Sequence, residues 1–524
     1  MKAWIQAHPR WTIALFSLIW ALCYPPFPTG WLSFLVLVPA FLATQNLRPR
    51  TAFSAWFVGG LAYNIVMYWW IYNVIKVGPP FIIGGGLILL ILFLSLFNGI
   101  IGLGFRLALR HPLLLATFPL AWAGLEAARA VGEMSFPWND FGYALGHSLT
   151  LMQGVSLYGV YGLSALLIGA NLCLFQAFRQ GGANGRLWLL AWFLLPAVLW
   201  ALGIRTLLRT EGKDSSAPSL TISLVQPSIP QTKKWSEEYF GEVMAKTFRT
   251  MDGPSSDRSP IAGSDLVVLA ETSVPDFLRS RPELIDTFFT RAVQLHAPIL
   301  IGSLDFVPDR KPWRDYIFYN SAFLFPPNQN GSVEQYSKLR LVPFSEKLPF
   351  QNVFPILNYV HLGEGDFSPG AGYQVWGDSL RFAPSICYEV IYPEFARQAK
   401  KAGAQFLVNI TNDGWFGRSN GPYEHANIAR FRAVETGMPL VRCANSGVSV
   451  FYDAWGRDLG HTALMDSTVL KRRLPVAYRN PFYARHGGLV DAAFLAALGI
   501  WIVCLFAMGV KRPRSPGTKA LGPD

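Results

Sequence analysis

Three residues of the chain combine a reactive or ionisable group with a position where active sites are usually built. Glu271 closes the apolar run DLVVLAET, Cys387 closes LRFAPSICYE, and Lys338 stands in EQYSKLRLVPFSE. Each run reads as a β-strand, and in α/β folds ligands gather beyond the carboxyl ends of strands. Taken singly, a strand-end Glu or Lys is a solvated surface charge and a lone Cys a small core residue. Together they supply a nucleophile, a base for its proton and a fixed cation for an oxyanion, the parts of covalent acyl chemistry. A free thiol with a pKa of about 8.5 is only a few per cent thiolate at neutral pH, so both partners matter. The compact ammonium of Lys338 suits a localised oxyanion better than a planar guanidinium would. His425, in GPYEHANIAR, reads as a helix-borne structural hydrogen-bonder rather than a base. No Cys/His cluster has metal-ligand spacing, and neither a metal nor another cofactor is expected.

The elements that must position these residues lie in 211–487. Runs at 220–225, 265–269, 298–303, 316–325, 380–386, 405–410 and 439–452 read as strands, and 281–296 and 423–437 as helices between them. Strands alternating with helices predict an α/β architecture. The polar patch 252–264 reads as a loop.

The rest of the chain has a different composition. Of 524 residues, 51% are hydrophobic and 15% charged, against about 25% charged in an average soluble protein. Mean hydropathy is +0.28. Disorder, a coiled coil and an all-soluble enzyme are excluded, and a polytopic membrane protein is expected. Crossing the bilayer core takes about 20 apolar residues. Spans are predicted near 11–25, 31–46, 52–73, 81–106, 112–130, 153–178, 187–207 and 488–510. Pro25, Pro26 and Pro28 separate the first two, which together can form a hairpin or a broken helix. The organisation is thus 1–210 with about seven spans, a globular domain at 211–487, a last span at 488–510 and a basic tail at 511–524.

The net charge of +12 partitions as +9 over 1–209, +1 over 210–487 and +2 over 488–524. An excess confined to the membrane part sets orientation rather than gripping phosphate backbones, so a nucleic-acid partner is not expected. Basic residues cluster on one side of the predicted spans, which predicts cytoplasmic termini and a globular domain outside, in a bacterium the periplasm. Trp69, Trp70 and Tyr72 read as an interfacial belt. Cys23, Cys173 and Cys504 lie in apolar runs, and no disulfide framework follows from the sequence.

The motifs carry a resemblance. ET at 271–272, YSKLRLVPFSE at 336–346, SICYE at 385–389 and NITNDGWFG at 409–417 resemble the Glu–Lys–Cys signature of the nitrilase superfamily. Such a domain placed before the last span of a membrane region is similar to the membrane-embedded apolipoprotein N-acyltransferase family. VQPSIPQTKKW at 225–235, GPYEHANIARFRAVETGMPLVRCANSG at 421–447 and FPWNDFGYALG at 136–146 extend the likeness. The resemblance implies a polytopic α-helical membrane domain plus a nitrilase-like αββα sandwich. It implies Cys387 as nucleophile, Glu271 as general base and Lys338 as oxyanion stabiliser. Glu346 would orient Lys338 and the base, Glu389 would hold the elbow after the nucleophile, and the Tyr388 N–H would be a second oxyanion donor. Trp235, Phe344, Tyr388, Trp415 and Phe416 are candidates for lining an acyl tunnel or forming arms on the membrane surface. For Trp415 and Phe416, in a turn after Asp413-Gly414, exposure is expected.

The implied donor is a phospholipid, phosphatidylethanolamine, and the implied acceptor the α-amino group of a lipoprotein's diacylglyceryl-cysteine, by ping-pong kinetics and without a cofactor. Two other readings stay open from the residues alone. A membrane-anchored amide or nitrile hydrolase would need only one or two spans. A transporter or binding scaffold would carry midplane charges on interrupted spans.

Overall fold

The computed structural model describes all residues except Met1, 77–79, 210–216, 254–258, 312–313, 329–330, 360–365, 378–380, 478 and 510–524. The expected basic tail lies outside the described residues. Helices Pro9–Ala21, Pro49–Tyr68, Pro80–Ala108, Pro112–Arg129, Val155–Gln180 and Gly182–Leu208 precede the α/β region, and Phe482–Gly509 follows it. Pro9, Pro49 and Pro112 open their helices, where the missing N–H costs nothing and the fixed φ is already helical. Among the described residues, four helices are long and apolar enough to cross a bilayer by length and composition: Ile83–Ala108, Val155–Gln180, Gly182–Leu208 and Phe482–Met508.

The stretch expected as a span at 31–46 is interrupted. It forms a 3-10 helix at Gly30–Phe34 and then a separate helix at Val38–Thr44. The seven residues of the second piece cover only about 10 Å. Asn171 satisfies the freed backbone, accepting from Leu37 N at 3.0 Å and donating to Ser33 O at 2.7 Å. Inside apolar surroundings such a break persists only where a partner of this kind is supplied.

A second break lies in Val155–Gln180, where Gly159 has φ +67°. A Cβ there would meet the Tyr483 ring at 2.4 Å, so only glycine fits. Val160 N, beyond the break, donates to Glu435 Oε1 of the α/β region at 3.0 Å. A carboxylate from one half of the molecule thereby caps a helix of the other.

Among the described residues, the α/β region contains twelve strands in two sheets. Strands β1 (Ser219–Gln226), β2 (Leu266–Leu269), β3 (Val274–Phe277), β4 (Ile299–Lys311), β5 (Arg314–Phe325), β6 (Glu334–Ser337) and β12 (Thr468–Pro475) form the first, in order β12-β1-β2-β4-β5-β6 with β3 on β4. Strands β7 (Phe382–Ile386), β8 (Phe406–Thr411), β9 (Leu440–Ala444), β10 (Val450–Tyr452) and β11 (Asp458–His461) form the second, in order β11-β10-β9-β8-β7. Alternation sorts the faces. Val225, Val267 and Leu269 pack with Met244, Met251 and Phe288 of the outer helices Phe240–Asp252 and Pro282–Leu295. Leu224, Leu266 and Val268 join the core shared with the second sheet. Cys443 of β9 reaches the carbonyls of Val225 and Val268 at 3.4 and 3.3 Å, so the sheets stand face to face.

Pro393–Lys401 and Gly421–Thr436 cover the second sheet. The second of these is buried almost all round because its outer face meets the membrane half: Asn427 donates to Tyr143 O at 3.0 Å and Arg432 to the Tyr143 hydroxyl at 2.9 Å. The expected 439–452 strand is two strands joined by a turn, β6 is confined to the first four residues of the EQYSKLRLVPFSE run, and β3, β11 and β12 have no counterpart among the expected runs. A short, half-exposed polar strand such as DLGH carries too little apolar alternation to be read.

Candidate active site

The three chemistry-bearing residues all follow strands, and two lie beside left-handed backbone. Glu271 follows β2 and precedes Thr272 at φ +47°, while Cys387 opens a 3-10 helix after β7 with its own φ at +50°. Non-glycine residues hold such values only where the surroundings over-determine them. At Gly302 of β4, an added Cβ would lie 2.6 Å from Glu271 Cα, so its absence lets the Glu271 backbone approach.

The side chains converge in a buried cluster. Lys338 Nζ donates to Glu346 Oε1 at 2.8 Å and lies 3.6 Å from Glu271 Oε1. Asn320, on β5, donates from Nδ2 to Glu271 Oε1 at 2.8 Å and to Glu346 Oε1 at 3.1 Å. Asn412 N donates to Glu271 Oε2 at 2.8 Å, and Val342 N to Glu346 Oε2 at 2.8 Å. Lys338 is 1% exposed, and Glu271 and Glu346 are 5% and 6%. Burial alone would push the Lys338 ammonium down, but Glu346, then Glu271 and Cys387, raise it well above the lysine range.

Cys387 is half-buried and sits within the field of both charges. Burial pushes its thiol above the ordinary range, Glu271 adds to the rise and Lys338 opposes it. The thiol is therefore protonated at rest, and a nucleophilic role requires that its proton be taken.

Glu389 is a tether. Its Oε2 accepts from Ile386 N at 2.6 Å, and its Oε1 accepts from Leu339 N and the Tyr336 hydroxyl, both at 2.6 Å. One fully buried carboxylate thus fixes the Cys387 turn to the Lys338 strand. Burial raises its pKa to about 7 against those three bonds. The Tyr388 side chain turns away from the cluster, and its hydroxyl donates to Ser135 O of the membrane half at 2.7 Å.

Beneath Cys387 lies a second cluster that sequence reasoning missed, apart from placing His425 as a structural hydrogen-bonder. Asn409, Asp413, His425 and Arg442 are all 0–1% exposed. Arg442 donates to Asp413 Oδ2 at 2.8 Å and also to Asn409 Oδ1. His425 Nε2 lies 3.2 Å from the Cys387 carbonyl oxygen, not on the thiol. Burial favours a neutral Asp413, yet Arg442 and then His425 hold its carboxyl down at about 2. Burial and Arg442 depress His425 to about 4. Asn320 and Asn412 were missed as well. No apolar pattern marks a polar residue that is buried only in the folded chain.

The aromatic candidates separate. Trp235 is 39% exposed and Phe344 49%. Trp415 and Phe416, expected to be exposed, are half-buried. Phe416 packs edge-on to Trp70 with centroids 4.2 Å apart and to Trp138 at 6.0 Å. Trp70 is correspondingly buried rather than part of an interfacial belt, whereas Trp69 and Tyr72 are exposed. The physical reason is the FPWNDFGYALG loop, which lies against the α/β region and covers this turn. Trp138 Nε1 donates to Glu424 Oε2 at 2.7 Å.

This arrangement can deprotonate a thiol, stabilise a tetrahedral oxyanion and exclude water from one side. Among the described residues, no group of three His, Cys, Asp or Glu is placed to hold a metal ion. Residues 16–173 match the family model for the apolipoprotein N-acyltransferase N-terminal domain, and 221–480 the model for carbon-nitrogen hydrolases. An apolipoprotein N-acyltransferase of Geobacter metallireducens is 34% identical over 90% of this chain and 90% of its own length. One of Chlorobaculum tepidum is 28% identical over 95% and 96%. Among solved structures, a carbon-nitrogen hydrolase of Helicobacter pylori aligns with 56% of this chain and 99% of its own at 16% identity and TM-score 0.36. With both halves matched and the likeness running through nearly its whole length, the chain belongs to the apolipoprotein N-acyltransferase family.

Proposed function

We propose that this member of the family transfers a fatty acyl chain from a phospholipid to the α-amino group of a lipoprotein's N-terminal diacylglyceryl-cysteine, through a thioester on Cys387. Glu271 is the general base. Its Oε1 is engaged by Asn320 and Lys338 and its Oε2 by Asn412 N, which leaves acceptor capacity on Oε2 for the thiol proton. The sulfur attacks the ester carbonyl as Glu271 takes that proton. Lys338 and the Tyr388 N–H stabilise the tetrahedral oxyanion. Collapse breaks the carbon–oxygen bond to glycerol, and the leaving oxygen takes the proton from Glu271, giving a lysophospholipid and the acyl-enzyme. The acceptor amine then attacks the thioester and Glu271 takes its proton. The amide forms as the sulfur leaves and is reprotonated.

Glu346 orients Lys338 and the base, and Glu389 holds the Cys387 turn. Trp235 and Phe344, exposed beside the motifs, are acyl-contact candidates together with Trp415 and Phe416. Phosphatidylethanolamine is the donor we favour. The organisation we propose is a membrane domain at 1–210, a catalytic domain at 211–487 facing the periplasm, a last span at 488–510 and a cytoplasmic basic tail at 511–524, in the bacterial inner membrane with both termini inside. Seating the thioester against lipid shields it from hydrolysis, the reaction that competes with transfer.

The observation that carries this reading is the buried lysine bonded to Glu346 and paired with Glu271, with the half-buried Cys387 thiol within the field of both charges. Intact-mass measurement after exposure to phospholipid without acceptor tests it. The protein should gain one acyl chain, releasable by hydroxylamine, and Cys387→Ala should gain none. Lipid consumption with no adduct on the unaltered protein overturns the covalent route. Free fatty acid without N-acyl peptide, when a diacylglyceryl peptide is supplied, points to a hydrolase instead.

A further inference from the structure

The Cys387 carbonyl and the Tyr388 N–H belong to one peptide unit, and in a planar trans unit they point in opposite directions. Whatever fixes that carbonyl also fixes the N–H. The carbonyl is held from below by His425 Nε2 at 3.2 Å and Asn409 Nδ2 at 3.4 Å. The other ring nitrogen of His425, Nδ1, lies 2.8 Å from an Arg442 guanidinium nitrogen and 3.0 Å from Asp413 Oδ1. The carbonyl oxygen only accepts, so Nε2 carries the proton and donates to it; in the neutral ring Nδ1 is then bare and accepts from Arg442, which also donates to the Asp413 Oδ1 beside it at 3.0 Å. The opposite tautomer would set an N–H against the guanidinium and a lone pair against the carbonyl oxygen.

We propose that His425, held in this tautomer by the Arg442 guanidinium at Nδ1 and the Cys387 carbonyl at Nε2, is a positioning residue for the oxyanion hole: by drawing the Cys387 carbonyl down it aims the Tyr388 N–H into the pocket. The inference rests on the acyl-transfer reading and adds to it a residue that touches no reacting atom. The left-handed φ of Cys387 fits this role, since two donors on its carbonyl are contacts of the kind that sustain such a conformation. The depressed basicity of His425 keeps the ring neutral through the physiological range, so the donor does not change with pH there.

Two probes of Cys387 in the full-length protein separate this role from simple support of the thiol. A long-chain fatty aldehyde adds to the sulfur as a hemithioacetal: the S–C bond forms, the carbonyl π bond opens and the thiol proton passes to Glu271, which leaves the charge on the new oxygen to be stabilised. Iodoacetamide alkylates the sulfur with loss of iodide and forms no oxyanion. In His425→Leu, aldehyde affinity and the rate of acyl-enzyme formation should both fall about 10- to 100-fold, with alkylation changed by less than about twofold. His425→Gln, whose amide nitrogen lies near the place of Nε2, should restore most of the loss. Asn409→Ala should show the same selective pattern at smaller size.

A parallel fall of alkylation and aldehyde affinity overturns the proposal, as does unchanged aldehyde affinity in His425→Leu. If that variant fails to fold, Asn409→Ala decides on the same two probes: selective aldehyde loss supports the proposal, and parallel or absent loss overturns it. An unaltered protein that neither binds the aldehyde nor acquires an acyl chain overturns the acyl-transfer reading too, a result distinct from a normal acyl-enzyme with an indifferent His425.

Discussion

Two buried charge clusters lie on either side of the Cys387 turn, and they are built to opposite ends. Above it, Lys338 faces Glu271 and Glu346 within electrostatic reach of the Cys387 thiol, with acceptor capacity left over on Glu271. Below it, the Arg442 guanidinium neutralises Asp413, and Asn409 and a neutral His425 complete the set against one carbonyl. The upper cluster can take up and return a proton without being dismantled. The lower one pairs its carboxylate with a guanidinium beside a neutral imidazole, and can only hold. Catalysis of the kind proposed needs both, because a group that exchanges protons cannot also be the rigid reference that keeps the sulfur in place.

That division can be broken at several points. Glu271→Gln removes the proposed base while keeping most of the hydrogen-bonding shape. Acyl-enzyme formation should fall about 10²- to 10⁴-fold with Tm shifted by only a few degrees, read by single-turnover mass spectrometry and thermal unfolding. Normal burst kinetics in that variant would remove Glu271 from the role. Arg442→Met should do the reverse. It leaves Asp413 buried and unpaired, at a cost of about 3–5 kcal/mol, so folded yield and Tm collapse first. An Arg442→Met protein that melts normally would show that the lower cluster is not structural.

A third test uses pH. Between about 6.5 and 4 the unfolded chain takes up a proton that buried His425 refuses, so stability is complete above the unfolded pKa and is lost as pH falls toward about 4. In His425→Gln this slope should flatten over that window, and a thermal-unfolding series in detergent would show an unchanged slope if another group were responsible. The smallest effect is expected at Tyr388→Phe, which removes one bond to Ser135 O. That acceptor keeps a contact from the Tyr392 hydroxyl at 3.3 Å, so the loss should be about 1 kcal/mol, measured by denaturation, with acylation little changed.

Much of the upper cluster was legible in the sequence, because Glu271 and Cys387 each follow a readable apolar strand and Lys338, Glu346 and Glu389 sit within short motifs. The lower cluster was not. Asp413 and Arg442 look like ordinary turn and strand-edge charges until the sheets and the 421–436 helix enclose them. The fold shows the same limit. Strands with strong alternation were read, whereas short polar ones were not. Trp70 and Phe416 carry the composition of a membrane belt and an exposed turn, but a loop from the other half of the chain covers both. The broken 31–46 stretch is apolar enough for a span, and only the position of Asn171, more than a hundred residues later, reveals the interruption.

The break at Gly159 has a consequence for the order in which the molecule is completed. The N–H of Val160 finds its acceptor on Glu435, and the space at Gly159 is filled by Tyr483. Both partners are synthesised hundreds of residues after the helix they complete. The early bundle must therefore wait, unfinished at its centre, until the later part of the chain has emerged and docked. A truncation ending before 435 is expected to leave that helix loosened at 159–160 even though every one of its own residues is present.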